Sequence, residues 1–295
     1  MRARVWGCRG SLAAPGPDTV RYGGNTSCVE VRTSDGTIIV LDAGTGIRAL
    51  GLQLESENVR SVHLFLSHLH LDHLQGLGFF APLFNPDVEV HIWGPRSTVR
   101  SLAERIGTYL SPPLFPVRLS QIPARLSFHD VSEDGWDVGG ARVVAMPVSH
   151  PDSTVGYRIE DGGRVLAYIP DHEPSLGVDI RTIEPDWISG HALAAGADVL
   201  LHDAQYDDNE YPLRIGWGHS CLEHVLAFGQ IADVKRLVLF HHDPLHTDAV
   251  LDELSARAHA QWNGTGALDM AFEGMEIDLS TELEGAHSEL ADADR

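Results

Sequence analysis

Lysine is almost missing from this chain. Its 21 Lys+Arg include a single lysine, Lys235, and stand against 42 Asp+Glu, giving a formal net charge of −21 over 295 residues. The deficit is uneven: residues 1–150 carry 13 basic and 14 acidic residues, net −1, whereas residues 151–295 carry 8 and 28, net −20. Such a surface repels a polyanion over long range, which argues against a protein that tracks along DNA or long RNA. A small anionic ligand stays compatible, because a local cation or metal pair outweighs a distant field. Cysteine is scarce too. Cys8, Cys28 and Cys221 are odd in number and scattered, so no disulfide framework is expected and they read as small apolar fillers. No run of 18 apolar residues occurs, which excludes a membrane-spanning helix. The opening MRARVWGCRGSLAAPG has charge but no apolar stretch of signal-peptide type, and the expected location is cytoplasmic. There is also no internal repeat and no Gly/Ser or Pro linker.

What is present is apolar material, 43% of residues, broken into short runs of strand length. Strands are expected at 3–6, 27–32, 37–41, 63–67, 88–93, 141–148, 154–159, 164–169, 199–201, 237–240 and 268–272. Helices are expected at 95–106, 189–195, 220–232 and 248–262, the first capped near Ser97/Thr98 and the third by Ser220. Many strands are rich in Val, Ile and Leu, as central strands covered by helices are. One α/β domain over residues 1–281 is predicted, with an acidic, loose tail at 282–295.

Histidine is abundant, with 17 residues, and its placement matters more than its number. His68-Leu-His70-Leu-Asp72-His73 follows directly on the apolar strand HLFLS. Two histidines at i and i+2 of an extended chain point to one side and can hold one ion; Asp72 and His73 come as the chain turns and can face a second. Other predicted strands end in donors of the same kind: His150, Asp171 and His241. Ligands collect outside the carboxyl ends of strands in layered α/β folds, so these four strand ends point to a two-metal site.

With its His68-x-His70-x-Asp72-His73 motif and the later His150, Asp171 and His241, the chain resembles the metallo-β-lactamase superfamily over nearly its whole length. That resemblance implies a four-layer αββα sandwich with the site on the edge between two sheets. Asp42, in LDAGTGIRALG, resembles the family's turn that braces the histidine loop. WGHS at 217–220, and GCRGS with YGGNTSCVEV near the start, resemble the branch that holds tRNA 3′-processing ribonucleases and small cyclic phosphodiesterases. By that resemblance His68, His70 and His150 hold one metal, Asp72, His73 and His241 the other, and Asp171 bridges. Asp72 and His219 are then the catalytic residues, His219 giving a proton or hydrogen bond to the phosphoryl group or leaving oxygen. The implied cofactor is a pair of divalent ions (Zn²⁺, with Mn²⁺ or Fe²⁺ as alternatives), and the implied reaction is attack of a metal-bridging hydroxide on a small cyclic nucleotide or cyclic phosphate. A tRNA-end ribonuclease shares the motifs but sits poorly with the charge. An ester, thioester or lactam hydrolase leaves WGHS without a task, and a metal sensor needs no proton donor.

Several neighbours leave alternatives open. His242 competes with His241, although strand alternation lets only one face the metals. Asp243 and His246 fit either support of the site or a solvated loop, His172 either substrate contact or structure, and His202-Asp203 a hydrogen-bonded brace. His63, His91, His129, His191, His224, His259 and His287 have no motif partner. The run 107–117 carries Pro112, Pro113 and Pro116 among Tyr109, Leu110, Leu114 and Phe115, which forbids regular structure yet demands burial. Tyr109–Phe115 is expected to pack on its own domain, to form a lid, or to join a second copy near the site mouth in a homodimer.

Overall fold

The computed structural model describes residues 1–280; the expected acidic tail lies outside the described residues. Two seven-stranded mixed sheets face each other. The first contains β1 (Arg2–Gly7), β2 (Cys28–Arg32), β3 (Ile38–Leu41), β4 (Ser61–Phe65), β5 (Glu89–Gly94), β6 (Arg125–Asp130) and, at the far edge beside β1, β14 (Glu276–Asp278). The second contains β7 (Trp136–Val138), β8 (Ala141–Pro147), β9 (Val155–Asp161), β10 (Arg164–Ile169), β11 (Val199–Asp203), β12 (Arg236–Phe240) and β13 (Ala267–Met270), in spatial order from β7 to β13. Strands β3 to β6 run parallel, as do β10 to β13.

Alternation along the strands builds the layers. Val5, Val31, Leu41 and Phe65 of the first sheet meet Val143, Tyr157, Tyr168 and Phe240 of the second in the central core. The odd-facing Val40, Leu64 and Ile92 pack beneath α1 (Ile47–Ser56) and α3 (Leu102–Tyr109). Ala167, Leu200 and Leu239 pack beneath α5 (Leu222–Ile231) and α6 (Asp248–Gln261). Two short helices, α2 (Leu71–Leu74) and α4 (His191–Ala194), complete the set. This is the expected αββα sandwich. Among the described residues no helix is long and apolar enough to cross a membrane.

Two cap expectations fail. Helix α3 starts at Leu102, not 95, because Ser101 and Glu104 close a reciprocal capping box: the Glu104 N–H donates to Ser101 Oγ at 3.3 Å and Ser101 N–H to Glu104 Oε2 at 2.8 Å. Ser220 does not cap α5, whose N-cap is Cys221; its hydroxyl donates instead to the His172 carbonyl at 2.6 Å. Strands β6, β7 and β14 were not expected, being short or polar edge-region segments such as RLSFHD. The proline-rich run spends most of its apolar surface on its own domain. Leu110 and Phe115 are buried beneath the first sheet, Phe115 lies against Gly78, Tyr109 donates to the Gln75 carbonyl at 2.5 Å, and Leu114 stays exposed.

Candidate metal centre

The donors gather at the carboxyl edge of both sheets. After β4 the chain delivers His68 and His70, then turns into α2, whose first turn holds Asp72 and His73. β8, β10 and β12 deliver His150, Asp171 and His241 from the other sheet. Parallel strands end on one side, so residues far apart in sequence meet there.

One group is nearly closed. His73 Nε2 lies 2.9 Å from Asp171 Oδ1, 3.1 Å from Asp72 Oδ2 and 3.2 Å from His241 Nε2. His241 Nε2 is 3.2 Å from both Asp72 Oδ2 and Asp171 Oδ1. Tetrahedral N and O ligands about 2.0–2.1 Å from an ion sit about 3.3 Å from one another, which matches these separations. The second group is looser: His68, His70 and His150 offer ligand atoms within 4.8 Å of one another, with His150 Nε2 3.3 Å from His70 Nδ1. Asp171 Oδ2 lies 3.8 Å from His68 Nε2 and 3.7 Å from His150 Nε2. One carboxylate therefore turns one oxygen to each group.

The hydrogen bonds around the centre prepare these atoms for a cation. Ser67 gives its hydroxyl proton to Asp42 at 2.9 Å, so His68 Nδ1–H donates to Ser67 Oγ at 3.0 Å and Nε2 is left with a lone pair. His73 Nδ1 donates to Asp42 at 2.8 Å, His150 Nδ1 to the Gly218 carbonyl at 2.8 Å, and His241 Nδ1 to Gln205 Oε1 at 3.0 Å. In all four rings the free lone pair is on Nε2 and faces the centre. His68 Nε2 and Asp171 Oδ1 are buried with no hydrogen-bond partner, a cost of about 1–3 kcal/mol per neutral group that an ion would remove. Charge points the same way. Burial alone would lower the His73 imidazole, but Asp171, Asp72 and Asp42 drive it well above its ordinary value. Burial would raise the Asp72 carboxyl, yet His73 and His241 hold it well below the usual range. The pocket calls for positive charge, and the donor set fits divalent ions.

Two residues carry backbone strain. Asp42 and His241 both have φ of 61°, the left-handed region that non-glycine residues seldom adopt. At Asp42 that turn lets one carboxylate accept from Ser67 N–H, Ser67 hydroxyl, His73 and the Tyr168 hydroxyl at 2.7–2.9 Å. At His241 it breaks strand alternation and swings the ring inward. His242 points the other way and donates Nε2–H to the Ala271 carbonyl at 2.8 Å.

His219 stands beside the donors without joining either group's closest contacts. Its ring stacks on His241 with centroids 5.1 Å apart and meets His150 edge-on at 5.0 Å. Nδ1–H donates to Asp203 Oδ2 at 2.7 Å, leaving Nε2 as the atom able to give a proton. Burial would lower its pKa, but Asp203 outweighs burial, with Asp171 and Asp72 behind it, and raises it to about 9. Asp203, fully buried, also accepts from the His172 and Gln205 N–H groups at 2.9 Å. This is the expected brace.

Other expectations are corrected. His172 cannot reach substrate: it is fully buried behind the centre, donating Nδ1–H to His202 Nε2 at 2.8 Å and packing on Phe228. Asp243 and His246 do not face the donors; their carbonyls accept from the buried Arg9 guanidinium. Three supports were not anticipated. Ser11 N–H donates to Asp72 Oδ2 at 2.8 Å, Gln205 orients His241, and Glu173 accepts from Gly216 N–H, Gly218 N–H and the Tyr211 hydroxyl, fixing the loop before His219. Gly10 leaves room for His241, whose Nδ1 would lie 2.4 Å from any Cβ there.

Comparison with known proteins agrees with this architecture. Residues 37–242 match a family described as a beta-lactamase superfamily domain. A ribonuclease Z of Myxococcus xanthus is 24% identical over 259 residues, covering 73% of this chain and 80% of that protein. Among solved structures, Zn²⁺-bound PqqB of Methylobacterium extorquens superposes with a TM-score of 0.70 at 18% identity, over 95% of this chain and all of the other. A diphosphatase of the PhnP family does so at 0.66 and 19%, over 94% and 97%.

Proposed function

The chain belongs to the beta-lactamase superfamily, a family of hydrolases, and from that membership we propose that it is a metal-dependent phosphodiesterase acting on a small cyclic or nucleotide-like phosphate. His68, His70 and His150 would hold one divalent ion, Asp72, His73 and His241 a second, with Asp171 shared; imidazole and carboxylate donors suit Zn²⁺, Mn²⁺ or Fe²⁺. Such ions supply Lewis acidity, making water acidic enough to yield a nucleophile near neutral pH and offsetting phosphoryl charge. The observation that carries the reading is the Asp203–His219 pair. Holding an ion does not require it, whereas expelling an alkoxide from phosphorus does. Asp203 keeps His219 charged and fixes its tilt, and His219 Nε2 then gives its proton to the leaving oxygen. Gly218 serves both sides of this chemistry, its carbonyl fixing His150 and its N–H anchored on Glu173.

A second reading, a ribonuclease of the tRNA 3′-processing type, draws on the similarity to ribonuclease Z. The charge of −21 with one lysine weighs against a polyanionic substrate. The test is a hydrolysis panel of cyclic nucleotides, a chromogenic phosphodiester, a short RNA with a 3′ extension, a thioester and a lactam, run on metal-loaded protein. Turnover of the small diesters above the RNA is expected. Turnover confined to RNA would favour the second reading, and turnover confined to the thioester or lactam would defeat both.

A further inference from the structure

The metal centre does not end the usable edge of the sandwich. Beside it opens a cleft of about 670 Å³, within the range that holds small-molecule ligands. One wall is the carboxyl end of β5 and β6 and the turn beyond, and the other is the end of β8 with residues 152–155. This second wall is continuous with the centre. It follows His150 directly, Val155 N–H donates to the Ser67 carbonyl at 2.9 Å, and Asp152 Oδ2 lies 3.6 Å from His70 Nε2.

We propose that this cleft receives the non-reacting half of the substrate, and that this half is an uncharged, nucleoside-like group rich in N–H and O–H donors. The inference rests on the phosphodiesterase reading for what is cleaved and on the cleft alone for what is bound. Its floor is apolar, with Val131, Ala145 and Val155, and suits the face of a ring. Its rim is acidic: Asp130, Glu133, Asp134 and Asp152 stand against one cation, Arg96. Carboxylates only accept hydrogen bonds, so they select groups that donate, such as sugar hydroxyls and exocyclic amines. The same excess of negative charge repels a second phosphate. A chain that continues as RNA beyond the scissile phosphate would carry that second phosphate into the rim. The cleft thus gives a local reason, beyond net charge, for preferring a small diester.

The test uses metal-loaded protein and two substrates with one leaving group: adenosine 5′-(p-nitrophenyl phosphate), and the same molecule bearing an added 3′-phosphate. The uncharged nucleoside should be favoured about tenfold or more in kcat/KM, the scale on which a pocket distinguishes substrates. The double variant Glu133→Lys/Asp134→Lys should shrink or invert that ratio. Ser153→Trp, an exposed position on the cleft wall, should lower the ratio of adenosine diester to methyl p-nitrophenyl phosphate by about tenfold. Binding of free adenosine, measured by NMR titration, supplies a readout independent of turnover and should weaken in Ser153→Trp. Hydrolysis of both diesters at equal efficiency, with adenosine binding insensitive to Ser153→Trp, would overturn the cleft assignment and leave the phosphodiesterase reading standing. Adenosine binding that Ser153→Trp abolishes, in a protein that cleaves no phosphodiester, would uphold the cleft and remove the phosphodiesterase reading.

Discussion

Two groups of histidines sit in this molecule, and they differ in everything except residue type. At the carboxyl edge, His68, His73, His150 and His241 each spend Nδ1–H on a fixed acceptor and turn Nε2 toward carboxylates. On the inner face of the first sheet, His63, His91 and His129 instead stack like plates across β4, β5 and β6. His63 and His91 lie 4.6 Å apart with planes at 10°, and His129 lies 4.0 Å from Trp93, which in turn stacks on Trp136. In-plane lone pairs of parallel rings do not converge. The nearest carboxylate, Glu89, is 4.0 Å from His91. Burial pushes His63 down to about 4, helped by His91 and His129, so this group avoids charge while the centre seeks it. A count of histidines therefore says little. Anchored tautomers and facing carboxylates make the difference.

The sharpest break in that contrast comes from the shared carboxylate. Asp171→Ala should strip the greater part of both ions by elemental analysis and cost more than about 10⁴ in activity, beyond what one acid–base group carries. Retention of both ions would refute its bridging role. Next in size is His219→Ala, which should keep the metal content and lower kcat by about 10²–10⁴ for a diester with a ribose leaving group. A nitrophenyl leaving group, needing little protonation, should suffer less; equal losses on both substrates would remove His219 as the acid. Asp203→Asn, which keeps the shape and removes the charge that holds His219, should cost about 10–100-fold in kcat with KM little changed, and should move the pH profile of kcat to lower pH.

The smallest effect belongs to the stacked group. The His63 imidazole is neutral in the fold with its pKa lowered to about 4 from 6.5. The unfolded chain thus takes up more protons between those values, so stability is full above about 6.5 and falls as pH drops toward 4. His63→Phe should flatten that fall, by an amount on the order of 1 kcal/mol once partial exposure is discounted, and should leave metal content unchanged. Melting temperatures at pH 7 and 4.5 would show it; an identical fall in both proteins would contradict the lowered pKa.

Much of the centre was legible in the chain because chemistry and adjacency coincide there. His68, His70, Asp72 and His73 occupy six residues after an apolar strand, and no packing rule asks for that pattern. His150, Asp171 and His241 were readable because each ends a strand. Ser11, Gln205 and Glu173 were not, since a serine, a glutamine or a glutamate that accepts one hydrogen bond leaves no periodic or spacing signal. The start of α3 was written in Ser101-x-x-Glu104 but lay behind nearer cap candidates at Ser97 and Thr98. The acidic cleft was invisible, because Arg96, Glu133 and Asp152 come from three separate loops.

By itself the sequence determined the layers, through strand-length apolar runs between amphipathic helices, and the metal-binding chemistry, through donor types at strand ends. Only the tertiary structure decided which donor serves which group. His241 faces the centre and His242 does not because residue 241 adopts a positive φ that no alternation rule contains. Asp171 can face both groups because two sheets, folded separately in sequence, bring their carboxyl edges together. His219 becomes a charged acid because Asp203, 16 residues earlier, ends a neighbouring strand 2.7 Å from its Nδ1. Local patterns follow from side-chain chemistry and backbone period; orientation and charge state follow from neighbours that only packing supplies.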